Sequence, residues 1–222
     1  LARTLAGCIF PVGLMMIVFV GGELFTGDCM MSMAWMQRKI HFADMLRTLV
    51  LVYVSNFVGA ALIAFLVAHS GQYDYSSGAL GAYTIKVAYG KVHLSFANAL
   101  ISGILCNILV CVAVLMAAAA KDIAGKVLAI FFPILAFVVS GFEHCVANMY
   151  YIPAGIFASK NAAYAAKALE LYNIDSTQLS SLNWGSFAIS NLIPVTIGNI
   201  IGGALLVGGA CFYLHGKALH ES

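Results

Sequence analysis

The residues best suited to chemistry lie in two short polar interruptions of otherwise apolar sequence, residues 21–28 (GGELFTGD) and residues 141–144 (GFEH). Ionisable residues within apolar, membrane-length segments are costly, which makes them candidates for function. His144 is the strongest candidate because the charge of histidine changes near neutral pH. Such a side chain can donate a hydrogen bond or a proton to a small anion. A histidine that only packs in the interior is the alternative.

Two glutamates and a threonine accompany this histidine. Glu23 and Glu143 would repel an anion as bare carboxylates, so we expect them to accept hydrogen bonds at broken helix ends. A role in proton relay is the alternative for both. Thr26 carries a hydroxyl that both donates and accepts, which suits contact with a solute. It could equally cap the helix that follows the interruption.

Asn107 lies in an uncharged run over 92–120, where an amide needs a partner inside a helical bundle. Lys91, at the mouth of that run, could attract anions or simply extend its amine to the membrane surface. His144 next to Cys145 is a weak nucleophile and base pair, and the sequence contains no nucleotide-binding or hydrolase motif. We therefore expect no enzyme. The six cysteines form no C-x-x-C pair, so neither a metal site nor a cofactor is expected.

The composition defines the class of protein that must position these residues. The chain has 222 residues, of which 62% are hydrophobic and 9% charged, with a mean hydropathy of +0.95. Soluble domains are about 25% charged, so this composition excludes them, and it excludes disordered chains as well. The net charge of +2 gives no reason to expect a nucleic-acid partner. The sequence therefore predicts an integral protein of the lipid bilayer.

The apolar runs predict five membrane-spanning helices. They cover residues 4–22 (continuing over 29–36), 48–68, 92–120, 127–159 and 186–216, while 160–182 is predicted to be an outer loop with a short helix. Helices are expected because lipid offers no hydrogen-bond partner to an open backbone. Basic residues favour a cytoplasmic C-terminus by a small margin, because one side collects Arg38, Lys39, Arg47, Lys121, Lys126 and Lys217.

The two interruptions belong to an internal repeat. Each follows a Phe-Pro pair (residues 10–11 and 132–133) and an apolar stretch, and a later span in each half carries a matching run, 56–62 and 199–205. We interpret 1–222 as one transmembrane channel domain with repeat one at 1–70 and repeat two at 92–216. Inverted repeats with broken helices are typical of transporters. Because the second half holds three spans and the first only two, we expect a sixth helix before Leu1, giving an all-α six-helix bundle.

Several of these runs resemble the signatures of the formate/nitrite transporter family. They are residues 22–26 (GELFT), 105–107 (LCN), 141–149 (GFEHCVANM) and 191–203 (NLIPVTIGNIIGG). The resemblance covers essentially the whole chain and implies an aquaporin-like fold assembled as a homopentamer in the cell (cytoplasmic, or inner) membrane. Each protomer would have its own pore for a small monovalent anion: formate, nitrite or hydrosulfide. The family's first membrane helix has no counterpart here.

The resemblance also implies roles for individual residues. His144 would be the central pore histidine and Thr26 the threonine of the loop that breaks the first segment. The apolar constrictions on either side of the histidine would be formed by Phe10, Leu14, Leu24 and Phe137. Lys91 and Asn107 would feed the outer vestibule, and the helix breaks would be held by Glu23, Glu143, Asn148 and Asn199. A hydrosulfide-specific channel and a non-conducting membrane scaffold are the alternatives.

Overall fold

The computed structural model describes residues 2–215, apart from the side chains of Ala2 and His215, and this range is helical with no β-strand. Lys217, which entered the topology expectation, lies outside the described residues. Five helical stretches within the described range are long and apolar enough to cross a membrane. The prediction of an all-α membrane protein is thereby confirmed.

The helices follow one another with short connections. Their bounds are α1 Ala2–Ile9, α2 Pro11–Val20, α3 Phe25–Asp28, α4 Met31–Met36, α5 Phe42–Ala68, α6 Ala79–Val92, α7 Phe96–Ala119, α8 Ile123–Ser140, α9 Cys145–Ser159, α10 Ala162–Tyr172, α11 Ser176–Ser180 and α12 Trp184–Ser186. The last span continues as a π-helical segment Phe187–Leu192, α13 Ile193–Ile200, a second π-helical segment Ile201–Val207 and α14 Gly208–His215. α6 is not among the predicted helices, because it is too short and too mixed in polarity to be recognised as a membrane span.

Both predicted interruptions are real helix breaks of the same design. α2 ends at Gly21 (φ 78°) and α8 ends at Gly141 (φ 72°), and both residues adopt the left-handed conformation that favours glycine. The next amide in each case, Gly22 or Phe142, donates to the carbonyl five residues back, at 2.9 Å and 3.1 Å. This is the Schellman arrangement that closes a helix C-terminus. The following helix begins four residues after the glycine in both cases.

The chain divides into two compact units that alternate along the sequence. Within the described residues the first unit comprises 2–54, 100–144 and 195–215, and the second comprises 55–99 and 145–194. In the first unit α1 and α2 pack along α8, and α4 packs against the end of the last span. In the second unit α6 lies along α9, and α10 packs against both. Both helix breaks, at 21–24 and 141–144, belong to the first unit.

The first unit brings α7 and α13 unusually close together. Gly198 lies directly against the backbone of α7, where an added Cβ would clash with the Leu100 carbonyl oxygen and lie 3.0 Å from the Ile104 nitrogen. Small residues at such crossings let membrane helices approach closely. The approach also brings the amide side chains of both helices within hydrogen-bond distance of each other's backbone.

We expect Gly198→Ala to lower the free energy of unfolding by about 1–3 kcal/mol, because backbone atoms cannot rotate away from the new methyl group. The measurement is unfolding of the purified protein in mixed micelles, followed by circular dichroism. Gly209→Ala is the matched control on the same span, since its Cβ would meet no atom of this chain within 4 Å. Equal stability of the two variants would contradict the close approach.

Candidate functional site

The centre of the candidate site is a buried hydrogen bond that joins α3, directly after the first helix break, to the last residue of the second break. Thr26 Oγ1 lies 2.8 Å from His144 Nε2, and the two residues are 118 positions apart in sequence. Thr26 has no exposed surface and His144 is 7% exposed. His144 directly precedes the N-terminus of α9, whose partial positive charge favours a nearby anion. The structure therefore brings together the threonine and the histidine that the sequence singled out.

The Thr26 loop is anchored to α7 by the side chain of Asn107. Asn107 Nδ2 donates to the Thr26 carbonyl oxygen at 3.1 Å and to the Asn199 carbonyl oxygen at 2.7 Å. The Cys111 thiol, one helical turn further along α7, also donates to the Thr26 carbonyl, at 3.4 Å. The expected partner for this buried amide thus exists. Asn107 fixes the backbone from which the Thr26 hydroxyl reaches His144.

The second break is held from the last span. Asn199 Nδ2 donates to the Glu143 carbonyl oxygen at 3.1 Å and to the Gly103 carbonyl oxygen at 2.7 Å. The Glu143 amide donates to Ser102 Oγ at 3.1 Å. The Asn107 side chain thus binds the Thr26 and Asn199 carbonyl groups, and the Asn199 side chain binds the Glu143 carbonyl group. We call these two asparagines the amide bridge, because together they connect the backbone after the first break to the second break.

The two glutamates occupy different surroundings. The Glu143 side chain is buried (6% exposed), and its backbone is fixed by Ser102 and Asn199. Glu23 lies on the surface of the isolated chain and hydrogen-bonds to the Asp28 carboxyl group.

Apolar side chains surround the histidine within the first unit. The Phe137 ring stacks on the His144 ring with centroids 6.0 Å apart, and the Phe10 ring meets Phe137 edge-on at 5.4 Å. Leu14 is buried in the same cluster and Leu24 packs against it. All four side chains expected to form constrictions are thus neighbours in one apolar cluster. In such surroundings the desolvation cost of an anion is high, whereas that of a neutral acid is much lower.

Other predicted site residues lie in the second unit. Lys91, near the end of α6, holds its Nζ 5.6 Å from the centroid of the Tyr151 ring. Asn148 Nδ2 donates to Asn191 Oδ1 at 2.7 Å, and Asn191 Nδ2 donates to the Lys91 carbonyl oxygen at 2.9 Å. Asn148 therefore belongs to a buried amide pair that ties α9 to the last span and to α6.

Sequence reasoning missed Ser102, Cys111 and Asn191. The missed signal on α7 is a spacing of four, because Gly103, Asn107 and Cys111 fall on one helix face. Asn191, at the start of a run quoted for the family resemblance, gave no signal of its own for pairing with Asn148. Within residues 2–215 no cluster of three or more histidine, cysteine or acidic side chains is arranged to hold a metal ion.

The comparisons with known sequences agree on one family. The family model described as "Formate/nitrite transporter" matches residues 1–213. A "Formate channel FocA" of Haemophilus influenzae is 38% identical over 94% of this chain and 72% of its own length. A "Probable formate transporter" of Methanothermobacter thermautotrophicus is 40% identical over 96% of this chain and 74% of its own length.

Solved structures show the same relationship. A structure titled "Pentameric formate channel with formate bound" superposes with a TM-score of 0.83 at 33% identity, covering 96% of this chain and 83% of that chain. An "FNT family ion channel" superposes with a TM-score of 0.78 at 28% identity, covering 96% of this chain and 77% of that chain. With a buried hydrogen bond that joins a threonine just after one helix break to a histidine at the end of the other, and a family match along nearly its whole length, the chain belongs to the formate/nitrite transporter family.

Proposed function

We propose that this protein conducts small monovalent weak-acid anions across the cell membrane, with formate as the first candidate and hydrosulfide and nitrite next. The observation that carries the proposal is the buried Thr26–His144 hydrogen bond beside an apolar cluster whose Phe137 ring stacks on His144. Formate as the first candidate is supported by the relatives, which are named as formate channels and transporters. Hydrosulfide and nitrite remain candidates because each is small, singly charged and readily protonated.

In the proposed mechanism His144 replaces hydrogen bonds that the anion loses when its hydration shell is removed. The histidine donates a hydrogen bond or a proton to the solute, and the Thr26 hydroxyl, which can donate or accept, adjusts to either protonation state of the ring. Once protonated, the solute crosses the apolar side chains as a neutral acid, at a much lower desolvation cost than its anion. Chloride, the anion of a strong acid, cannot take this route.

The remaining site residues support this path in the proposal. The constrictions on either side of the histidine are formed by Phe10, Leu14, Leu24 and Phe137. Lys91 attracts anions to the outer vestibule, where its position over the Tyr151 ring keeps the ammonium group near the protein surface. Asn107 and Lys91 together tune the approach to His144. Glu23, Glu143 and Asn199 hold the backbone around the breaks, and Asn148 ties α9 to the last span through Asn191.

We further propose that five copies of the chain assemble, each with its own pore, in the cell (inner) membrane with the C-terminus in the cytoplasm. A pentameric solved neighbour with a TM-score of 0.83 supports the assembly. The chain acts as one transmembrane channel domain built from an inverted repeat, 1–70 and 92–216. The matching Schellman ends at Gly21 and Gly141 support the repeat.

The experiment is uptake of formate, nitrite, hydrosulfide and chloride into proteoliposomes, with empty liposomes subtracted. We expect uptake of the three weak-acid anions to exceed chloride uptake by at least about tenfold, because chloride gains nothing from a proton donor. The ranking among the three identifies the preferred solute. Absence of flux for all four from a folded assembly would overturn the transport function and favour a scaffold.

A further inference from the structure

A cleft of about 460 Å³ lies in the second unit, at the ends of α5 and α9. Its walls include Phe65 and Ala68 from the end of α5 and Phe157 and Ala158 from the end of α9, followed by Lys160 from the turn after α9. None of these residues has a role in the proposed transport path.

The cleft lies at the depth where lipid headgroups begin. α5 contains 27 residues, so it is ~40 Å long, whereas the hydrocarbon core of a bilayer is ~30 Å thick. The apolar run of α5 ends at Ala68 and is followed by His69, Ser70 and Gly71, so the end of α5 lies at the boundary with the headgroup region. The Phe65 and Phe157 rings meet edge-on there, with centroids 5.8 Å apart. α9 also ends at this level, at Ser159.

The lining combines aromatic and nitrogen-bearing side chains. Phe65 and Phe157 supply an aromatic wall, and Lys160 and His69 supply an ammonium group and an imidazole ring. Within the described residues no carboxylate pairs with the Lys160 amine. The His69 ring packs on the Phe65 ring with centroids 4.2 Å apart, and its Nδ1 lies 2.7 Å from the Phe65 carbonyl oxygen, which orients the imidazole.

One acidic group is linked to this lining by a hydrogen bond. The Tyr164 hydroxyl, which also lines the cleft, donates to Asp74 Oδ1 at 2.6 Å. This hydrogen bond raises the pKa of Tyr164, so the phenol stays neutral. Asp74 is not one of the lining residues, so the formal charge that the lining presents is the ammonium group of Lys160.

We propose that this cleft binds the headgroup of an anionic phospholipid. The phosphodiester lies against Lys160 and His69, and the start of an acyl chain packs on Phe65 and Phe157. Free phosphate shares the charge chemistry, but it would leave the aromatic wall exposed to water, so the lipid is the better match. This site is independent of the transport function, because no residue of the conducting path contributes to it.

The test is native mass spectrometry of the purified, intact protein after incubation with phosphatidylglycerol, with diacylglycerol or with inorganic phosphate alone. We expect Lys160→Gln to reduce the bound phosphatidylglycerol about fivefold, the effect of one basic residue at a membrane surface. Lys160→Arg should retain the lipid. Lys167→Gln is the matched control, because it removes the same charge from α10, where Lys167 pairs with Glu170 at 2.9 Å.

Retention of phosphatidylglycerol by wild type, Lys160→Arg and Lys167→Gln, together with weak retention of diacylglycerol, supports the site. Equal retention by Lys160→Gln and Lys167→Gln overturns it. Lysine-dependent binding of inorganic phosphate without lipid retention would also overturn it, because the occupant would then be a free ion.

Discussion

His144→Asn is expected to reduce formate uptake at neutral pH at least about tenfold and to remove its dependence on pH. Asparagine can still hydrogen-bond to the Thr26 hydroxyl, which lies 2.8 Å from the histidine ring in the wild type, so the loop keeps a partner. It cannot gain or lose a proton near neutral pH. The anion must then cross the apolar cluster with its charge, and a tenfold loss corresponds to only about 1.4 kcal/mol of that desolvation cost.

The measurement is the initial rate of labelled formate uptake into proteoliposomes at pH about 5 and about 7.5, values that bracket the usual titration of histidine. His93→Asn is the matched control. His93 is exposed, and its Nδ1 lies 2.8 Å from the Tyr89 carbonyl oxygen, so this change should leave both the rate and its pH dependence intact. Formate uptake by His144→Asn with unaltered pH dependence would refute the role of the histidine.

Asn107→Leu is expected to lower the free energy of unfolding by about 2–4 kcal/mol and to impair uptake as well. Leucine has nearly the shape of asparagine but donates no hydrogen bond. The carbonyl oxygens of Thr26 and Asn199, which accept from Asn107 Nδ2 at 3.1 Å and 2.7 Å, each lose this donor inside the protein. Since the Thr26 backbone then loses its anchor, the hydroxyl is no longer held against His144.

Unfolding in mixed micelles gives the stability, and the uptake assay gives the functional loss. Asn98→Leu is the control on the same helix, because the Asn98 side chain is exposed and should tolerate the change within about 0.5 kcal/mol. If Asn107→Leu were as stable as Asn98→Leu, the amide bridge would contribute nothing to holding the breaks. If Asn107→Leu were stable but failed to take up formate, Asn107 would position Thr26 without contributing to the stability of the fold.

The helix breaks could be predicted from the sequence because residues at the breaks themselves cause them. Gly21 and Gly141 end their helices in a left-handed conformation that costs glycine little, and the surrounding apolar runs require helices on either side. The same reasoning fails for α6, which is 14 residues long and lies between turns at both ends. Its helical state depends on packing against α9, a contact that periodicity alone cannot reveal.

Residue type was sufficient to select His144, Thr26 and Asn107 as candidates, because polar groups within apolar spans cost free energy unless they have a partner or a function. It was insufficient to pair them. Ser102 and Cys111 escaped notice because serine and cysteine are ordinary in membrane helices. Their contacts with Glu143 and Thr26 exist only because α7 lies beside both breaks. Asn148 was expected to hold a break, and the structure pairs it with Asn191 in the second unit.

The sequence by itself determined that this is a helical membrane protein with two glycine-terminated breaks, because hydrophobicity and glycine conformation act over a few residues. Only the tertiary structure decided that Thr26 meets His144 across 118 positions and that Asn107 and Asn199 bridge the breaks. Those contacts require helices far apart in sequence to present particular faces to each other. That choice is made by side-chain packing and by the need of buried carbonyl groups for donors.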